Sequence, residues 1–154
     1  MSSAYLIVAP SDDARAAALE FSERRWPNLS IDPYDTALHV LVARLTNRTC
    51  EEVVATLRDL TPKLEGAETA EPWDERFWVA CVYQLPDDYI GTIVSIRDNE
   101  IPPLVSWWYS IEAFEWNRVH GHNFTEQVVE EDFRRIRDFL GDAEKQSVLM
   151  RLST

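Results

Sequence analysis

The stretch NFTEQVVEEDFRRIRDFLG, residues 123–141, has the clearest helical pattern in the chain. Apolar residues recur at the spacing of one helix face, and glutamates precede arginines by four positions on the other face, which is the stabilising order. Asn123 and Glu126 fit a capping pair at the start, and Gly141 is typical of a helix end. The apolar face consists of Val129, Phe133, Ile136 and Leu140, and the charged pairs are Glu130–Arg134 and Glu131–Arg135. The stretch therefore predicts an amphipathic helix with one buried face.

The same spacing, together with helix start and stop signals, predicts five further helices. They run from Ser11 to Arg25, from Asp32–Asp35 to Asn47, from the capping box of Thr49 and Glu52 to Pro62, from Leu104 to Trp116, and from Asp142 to Leu152. We expect the second and third of these to pack as an antiparallel pair, because only a few residues join them.

Two segments have the composition of strands. Ala4–Ala9 is a short apolar run, and Tyr89–Ile96 is followed by a predicted turn at Arg97–Glu100. In the apolar segment Phe77–Leu85 the start favours a helix and the centre favours a strand, and we favour the helix. The sequence thus predicts a predominantly helical α+β fold, with five to six amphipathic helices and a small sheet of two to three short strands, in one compact domain over residues 1–154. An all-α fold is the alternative.

Charge narrows the class of partner. The chain of 154 residues carries 27 acidic and 15 basic residues, a net charge of -12. A protein that binds nucleic acid directly or docks on an anionic membrane needs clustered Lys and Arg, so we expect neither partner. No apolar run reaches the roughly 18 residues that span a bilayer, and the start at Met1 lacks the basic residue of a signal peptide. We therefore expect a cytoplasmic protein whose two cysteines, Cys50 and Cys81, are reduced.

The negative charge is concentrated in the middle of the chain. Residues 51–100 hold twelve acidic and four basic residues, and Leu64–Glu75 contains no basic residue. Trp73 lies among these acids, which makes it a candidate for the exposed aromatic anchor that often dominates a protein interface. The predicted partner-binding residues are Glu65, Glu68, Glu71, Trp73, Asp74 and Glu75. The alternative is a solvated acidic loop that precedes a buried segment.

Motifs for catalysis and cofactor binding are scarce. The chain has four glycines, and no two are close enough to form a phosphate-binding loop, so we expect no nucleotide cofactor. His120 and His122 have the spacing of a two-histidine metal pair, with Glu112, Glu115 and Glu126 near them. A polar turn with solvated histidines explains the same residues, and we predict no metal site and no cofactor.

These properties together predict a non-catalytic acidic protein that binds a basic protein partner. Small size, acidity and the scarcity of catalytic motifs fit a bacterial immunity or antitoxin protein, which inhibits a toxic enzyme by covering its basic substrate cleft. A nuclease toxin fits the charge best, because its cleft must bind phosphates. The alternatives are a small metal-dependent enzyme that uses the loop of His120 and His122, and a structural adaptor subunit. The oligomeric state is left open by the sequence.

Overall fold

The computed structural model describes residues 3–10, 14, 27–61, 69, 71, 81–143 and 146–153. In this part of the chain one five-stranded sheet is combined with six α-helices, so the fold is mixed α+β and mostly helical. The strands are β1 (Ser3–Pro10), β2 (Asn28–Ser30), β3 (Arg58–Asp59), β4 (Cys81–Gln84) and β5 (Gln146–Ser153). The helices are α1 (Tyr34–Leu45), α2 (Cys50–Ala55), α3 (Asp87–Val94), α4 (Ile101–Tyr109), α5 (Glu115–His120) and α6 (Glu126–Gly141). Two 3-10 turns, Asp98–Glu100 and Glu112–Phe114, directly precede α4 and α5.

The two longest strands form the centre of the sheet. The strand order is β2-β1-β5-β4-β3, and every neighbouring pair is antiparallel. β1 and β5 pair along their whole length, from Ser3 opposite Ser153 to Pro10 opposite Gln146. The edge strands β2 and β3 have only three and two residues. Such short edges offer few backbone groups for pairing with another chain.

The central strands are buried on both faces of the sheet. Leu6 and Met150, which are register partners, belong to the core on the helix side, whereas Ile7 and Leu149 are buried on the opposite side. Successive side chains of a strand point to opposite faces, so a strand that is covered on both sides appears in the sequence as a continuous apolar run. The run Val148–Met150 in β5 has this origin.

An aromatic cluster joins α1, α4 and α6. Trp108 lies at its centre, with its ring centroid 5.5 Å from that of Tyr34, 5.2 Å from that of Phe114 and 5.8 Å from that of Phe133. The contacts to the two phenylalanines have the edge-to-face geometry that aromatic quadrupoles favour. The indole Nε1–H of Trp108 donates to the carbonyl of Ala37 at 2.8 Å, which satisfies the polar atom of this fully buried side chain.

A network of charged side chains attaches the segment that follows α3 to helix α6. The guanidinium of Arg137 donates to the carbonyl of Ile96 at 2.9 Å and lies 2.7 Å from the carboxylate of Asp98. Arg134 lies 3.4 Å from the same carboxylate. The hydrogen bond and charge of Arg137, with a smaller contribution from Arg134, hold the pKa of Asp98 below its ordinary value.

Three of the predicted helices are present, and at least one predicted end signal of each is confirmed. α6 ends at Gly141, and its buried residues are the four apolar ones that define its predicted face. α1 stops before Asn47, which adopts a φ of 54° in the left-handed region. α2 begins after Thr49, whose hydroxyl accepts from the backbone N–H of Glu52 at 3.1 Å. The predicted ion pair Glu130–Arg134 forms at 3.6 Å.

Two details of α6 differ from the prediction. The N-cap is Thr125 and not Asn123, because the Thr125 hydroxyl is the group that accepts from a backbone N–H of the first turn. Arg135 pairs at 3.3 Å with Asp132, three positions earlier, and not with Glu131. Spacings of three and of four residues both bring helix side chains together, so the sequence alone does not choose between these partners.

The predicted strand Tyr89–Ile96 is wrong, because this segment forms α3 and the start of the following turn. Two aspartates in the first turn of α3 interact favourably with the helix dipole. Tyr89 and Ile93, four positions apart, are its buried residues. That spacing places both on one helix face, and the β-branched composition of the segment obscured it.

The predicted last helix from Asp142 to Leu152 is also wrong, because residues 146–153 form the central strand β5. The preference for a helix over Phe77–Leu85 is wrong for its described part, in which Cys81–Gln84 is β4. Both apolar segments are strands because they pair with each other, with β5 between β1 and β4. The sheet therefore has more strands than the two to three predicted, and the all-α alternative is wrong.

The remaining differences concern helix lengths. The predicted helix Leu104–Trp116 is divided into α4, a 3-10 turn and α5, and two prolines lie at the start of α4. The helix predicted from Thr49 to Pro62 is α2 in the structure. It ends at Ala55 and not at Pro62, because the chain then enters the sheet as β3. The predicted helix from Ser11 to Arg25 lies outside the described residues except for Ala14, which is buried. None of the helices in the described residues combines the length and apolar composition needed to cross a membrane.

Candidate partner-binding surface

Most of the predicted partner-binding segment lies outside the described residues. This applies to Glu65, Glu68, Trp73, Asp74 and Glu75. Glu71 is described and is exposed. The assignment of this acidic segment to a partner-binding surface therefore stays a prediction.

The described residues contain a second aromatic side chain in an acidic setting. Trp116 is 67% exposed and Val119 is 70% exposed, the highest values among the large exposed hydrophobic side chains of the described residues. They lie three positions apart on α5, so their side chains share one side of the helix. We name the exposed group of Glu112, Glu115, Trp116, Val119 and His120 the Trp116 surface. Exposed hydrophobic side chains that adjoin one another, rather than standing singly, are candidates for an interaction site.

The Trp116 surface is held by the core beneath it. Phe114, immediately before α5, is fully buried in the aromatic cluster. Because residues two positions apart on a helix face different directions, burial of Phe114 directs Trp116 outward. Tyr109 donates its hydroxyl to the carbonyl of Phe124 at 3.0 Å and so ties the end of α4 to the loop after α5. The surface therefore lies on a fixed support, which lowers the entropic cost of binding.

The charge that this surface presents is negative. Glu112 and Glu115 are exposed, and neither forms an ion pair with a described residue. The one arginine of α5, Arg118, turns inward and donates to the carbonyls of Tyr109 at 2.6 Å and Ile111 at 2.8 Å. The guanidinium of Arg118 thus binds carbonyls at the end of α4, while the carboxylates of Glu112 and Glu115 are exposed to solvent near Trp116 in the sequence.

The two histidines of the predicted metal pair lie at the edge of this surface. His120 is the last residue of α5, and its ring centroid is 5.0 Å from that of Trp116. His122 is exposed in the loop that follows. Among the described residues, no group of three or more His, Cys, Asp or Glu side chains is placed to hold a metal ion. The observed contact of His120 is with an aromatic ring.

A separate polar cluster is buried between α1 and α3. His39 Nδ1 and the hydroxyl of Tyr89 lie 2.9 Å apart. Burial lowers the pKa of His39, and the nearby Asp35 only partly opposes this effect. Burial also raises the pKa of Tyr89, with smaller contributions from Cys50 and Asp35. The neutral imidazole and neutral phenol therefore form a hydrogen-bonded pair that holds two helices together.

No family model matches the chain, and neither the curated proteins nor the solved structures include a significant match. The surface itself is therefore the basis on which a function is inferred.

The Trp116 surface was missed in the sequence, although the signal for it was present. Charged neighbours mark Trp73 as a candidate anchor, and Trp116 also has charged neighbours, with Glu115 before it and Arg118 two positions after it. Two other tryptophans of the described residues are less exposed than Trp116, since Trp108 is fully buried and Trp107 is half-buried.

Proposed function

We propose that this protein is a non-catalytic acidic binding protein that neutralises a basic protein partner, as an immunity or antitoxin protein inhibits a toxic enzyme. The observation that carries the proposal is the Trp116 surface, where Trp116 and Val119 are exposed beside two carboxylates that have no ion-pair partner among the described residues. An apolar anchor within an acidic rim fits a partner that has an apolar pocket within a basic rim.

In this proposal the apolar anchor, formed by Trp116 and Val119, and the acidic rim around it have different roles. A tryptophan that enters a partner's pocket supplies binding energy, and its loss raises the dissociation rate. Exposed carboxylates such as Glu112 and Glu115 contribute little affinity, because water and salt screen them. They accelerate encounter with a basic partner, and the net charge of -12 acts in the same direction.

The acidic segment Leu64–Glu75 belongs to the same proposal as a second contact region. A basic substrate cleft is an extended surface, and a series of closely spaced carboxylates complements it as the phosphates of a substrate do. Charge reversal at Glu68, Glu71 and Asp74 is expected to weaken binding and to reduce its dependence on salt. An affinity unchanged by this triple variant would exclude the segment from the interface.

The test is quantitative capture with matched variants. The wild-type protein, Trp116→Ala and Val54→Ala are used as baits in extracts of the cells that make the protein, and the captured partner is then purified. Val54 is 44% exposed on α2 and provides an apolar control outside the Trp116 surface. We expect a basic partner whose dissociation constant rises about 30-fold for Trp116→Ala and stays unchanged for Val54→Ala.

Inhibition is the second readout. If the partner is an enzyme, the wild-type protein is expected to abolish its activity at stoichiometric ratio, and the loss of inhibition by Trp116→Ala is expected to follow the loss of affinity. The affinity of the wild type should fall as salt rises. An acidic partner, or equal affinities for the wild type and Trp116→Ala, would contradict the proposal.

A further inference from the structure

A groove lies where the end of α1 meets the start of α4. It is an open groove of about 440 Å³, lined mainly by Arg44, Leu45, Glu100, Pro103, Leu104 and Trp107. This volume is within the usual range for small-molecule sites, roughly 300–1,000 Å³. The groove is separate from the Trp116 surface, with which it shares no residue.

Arg44 is the distinctive side chain of this groove. Its guanidinium carbon lies 4.2 Å from the centroid of the Trp107 ring, which is a cation–π contact. No carboxylate of a described residue lies within ion-pair distance of Arg44. In a protein with a net charge of -12, this arginine is thus stacked on an aromatic ring and has its donors available.

Glu100, the acidic residue that lines the groove, interacts with Arg97. The Glu100 carboxylate accepts from the backbone N–H of Arg97 at 3.1 Å and lies 4.0 Å from the Arg97 guanidinium. These contacts hold its charge at the start of the 3-10 turn. Leu45, which is 40% exposed, and Leu104 supply apolar lining to the groove.

We propose that this groove binds a small organic anion with one carboxylate and a flat apolar body. The carboxylate accepts two hydrogen bonds from the Arg44 guanidinium, for which a planar fork is the matching donor. The apolar body covers Leu45 and the exposed part of Trp107 and removes this surface from water. Stacking on Trp107 limits the motion of the guanidinium before the ligand arrives.

The test uses phenylacetate as the probe and the full-length protein. Two-dimensional NMR records the indole N–H signals, and the Trp107 signal is identified as the one that is missing in Trp107→Phe. We expect phenylacetate to shift this signal with a dissociation constant of about 1 mM, typical of so small a ligand. Phenylacetamide, which has the same body without the charge, should bind about tenfold more weakly.

Two matched arginine variants distinguish specific binding at Arg44 from a general effect of positive charge on an anionic probe. Arg44→Gln is expected to weaken phenylacetate binding by about 10-fold or more, because the charge-assisted hydrogen bonds are lost. Arg58→Gln removes the same charge from an exposed residue of β3 and should leave binding unchanged. A Trp107 signal that does not move, equal binding of the amide and the acid, or equal effects of the two variants would each overturn the proposal. Thermal unfolding of both variants verifies that they are folded.

Discussion

Trp108 and Trp116 lie close in the sequence and have opposite surroundings. Trp108 is fully buried, contacts three aromatic rings and donates to a carbonyl. Trp116 is 67% exposed, and among the described residues the one ring near it is that of His120. The same side chain thus stabilises the fold at one position and at the other lies outside the core, where it is available to a partner. The location in the fold, and not the residue type, decides between these roles.

The largest expected effect is that of Trp108→Ala. The substitution leaves a cavity among aromatic rings and removes the donor to the Ala37 carbonyl, so the free energy of unfolding should fall by about 3–5 kcal/mol. Urea unfolding measures it. Trp108→Phe keeps most of the apolar volume and should lose less, which provides a readout if the alanine variant does not fold. If Trp108→Ala lowered the free energy of unfolding no more than a surface substitution does, Trp108 would not be the centre of the core.

A smaller loss is expected for Tyr34→Phe. The buried hydroxyl of Tyr34 donates to the Asp132 carboxylate at 2.6 Å, and its removal should lower the free energy of unfolding by about 1–3 kcal/mol. Tyr5→Phe is the control, because no hydrogen bond of the Tyr5 hydroxyl is formed with a described residue. Equal losses for the two variants would contradict the role given to the Tyr34–Asp132 bond.

His39 predicts a pH dependence of stability. Burial lowers its pKa in the folded protein, so the unfolded chain takes up the proton first as the pH falls. Stability is therefore complete above the ordinary histidine value of about 6.5 and decreases as the pH falls below it. His39→Gln retains a hydrogen-bonding group toward Tyr89 without the titration. Its melting temperature should change less than that of the wild type between neutral and mildly acidic pH, and equal slopes would refute the prediction.

The smallest effect on stability is expected for Trp116→Ala. An exposed side chain has little apolar area to lose from the core, so the free energy of unfolding should change by less than about 0.5 kcal/mol. Urea unfolding of Trp116→Ala and of Trp108→Ala under the same conditions tests the comparison directly. A loss of several kcal/mol would mean that Trp116 is a packing residue and would remove the basis for using it as a binding anchor.

Helices α1, α2 and α6 were predictable because their signals are local, whereas the β-branched residues of α3 obscured its helical spacing. α6 shows its buried face and its stop at Gly141 within a few turns, and α2 shows its N-cap at Thr49. β5 was not predictable in this way, since a short apolar run has the same composition whether a sheet or other helices cover it. Its strand conformation depends on β1, which lies at the other end of the chain.

The functional surfaces were predictable only in part. Charged neighbours mark Trp116 in the sequence, but its exposure depends on Phe114 entering the aromatic cluster. The groove depends on tertiary packing that brings Arg44 of α1 over Trp107 of α4. No spacing in the sequence connects these two residues, so such a contact becomes visible only in the fold.

The pairing of β1 with β5 has a consequence for how the chain folds. Ser3 and Ser153 are 150 positions apart, and their hydroxyls lie 2.6 Å from each other. The entropic cost of closing a loop rises with its length, and contacts between distant residues slow folding. We therefore expect the centre of the sheet to form late, after helices with local contacts such as α6. During synthesis β1 has only the three-residue strand β2 to pair with until β5 has left the ribosome, and an apolar strand exposed for that interval is a typical target of chaperones.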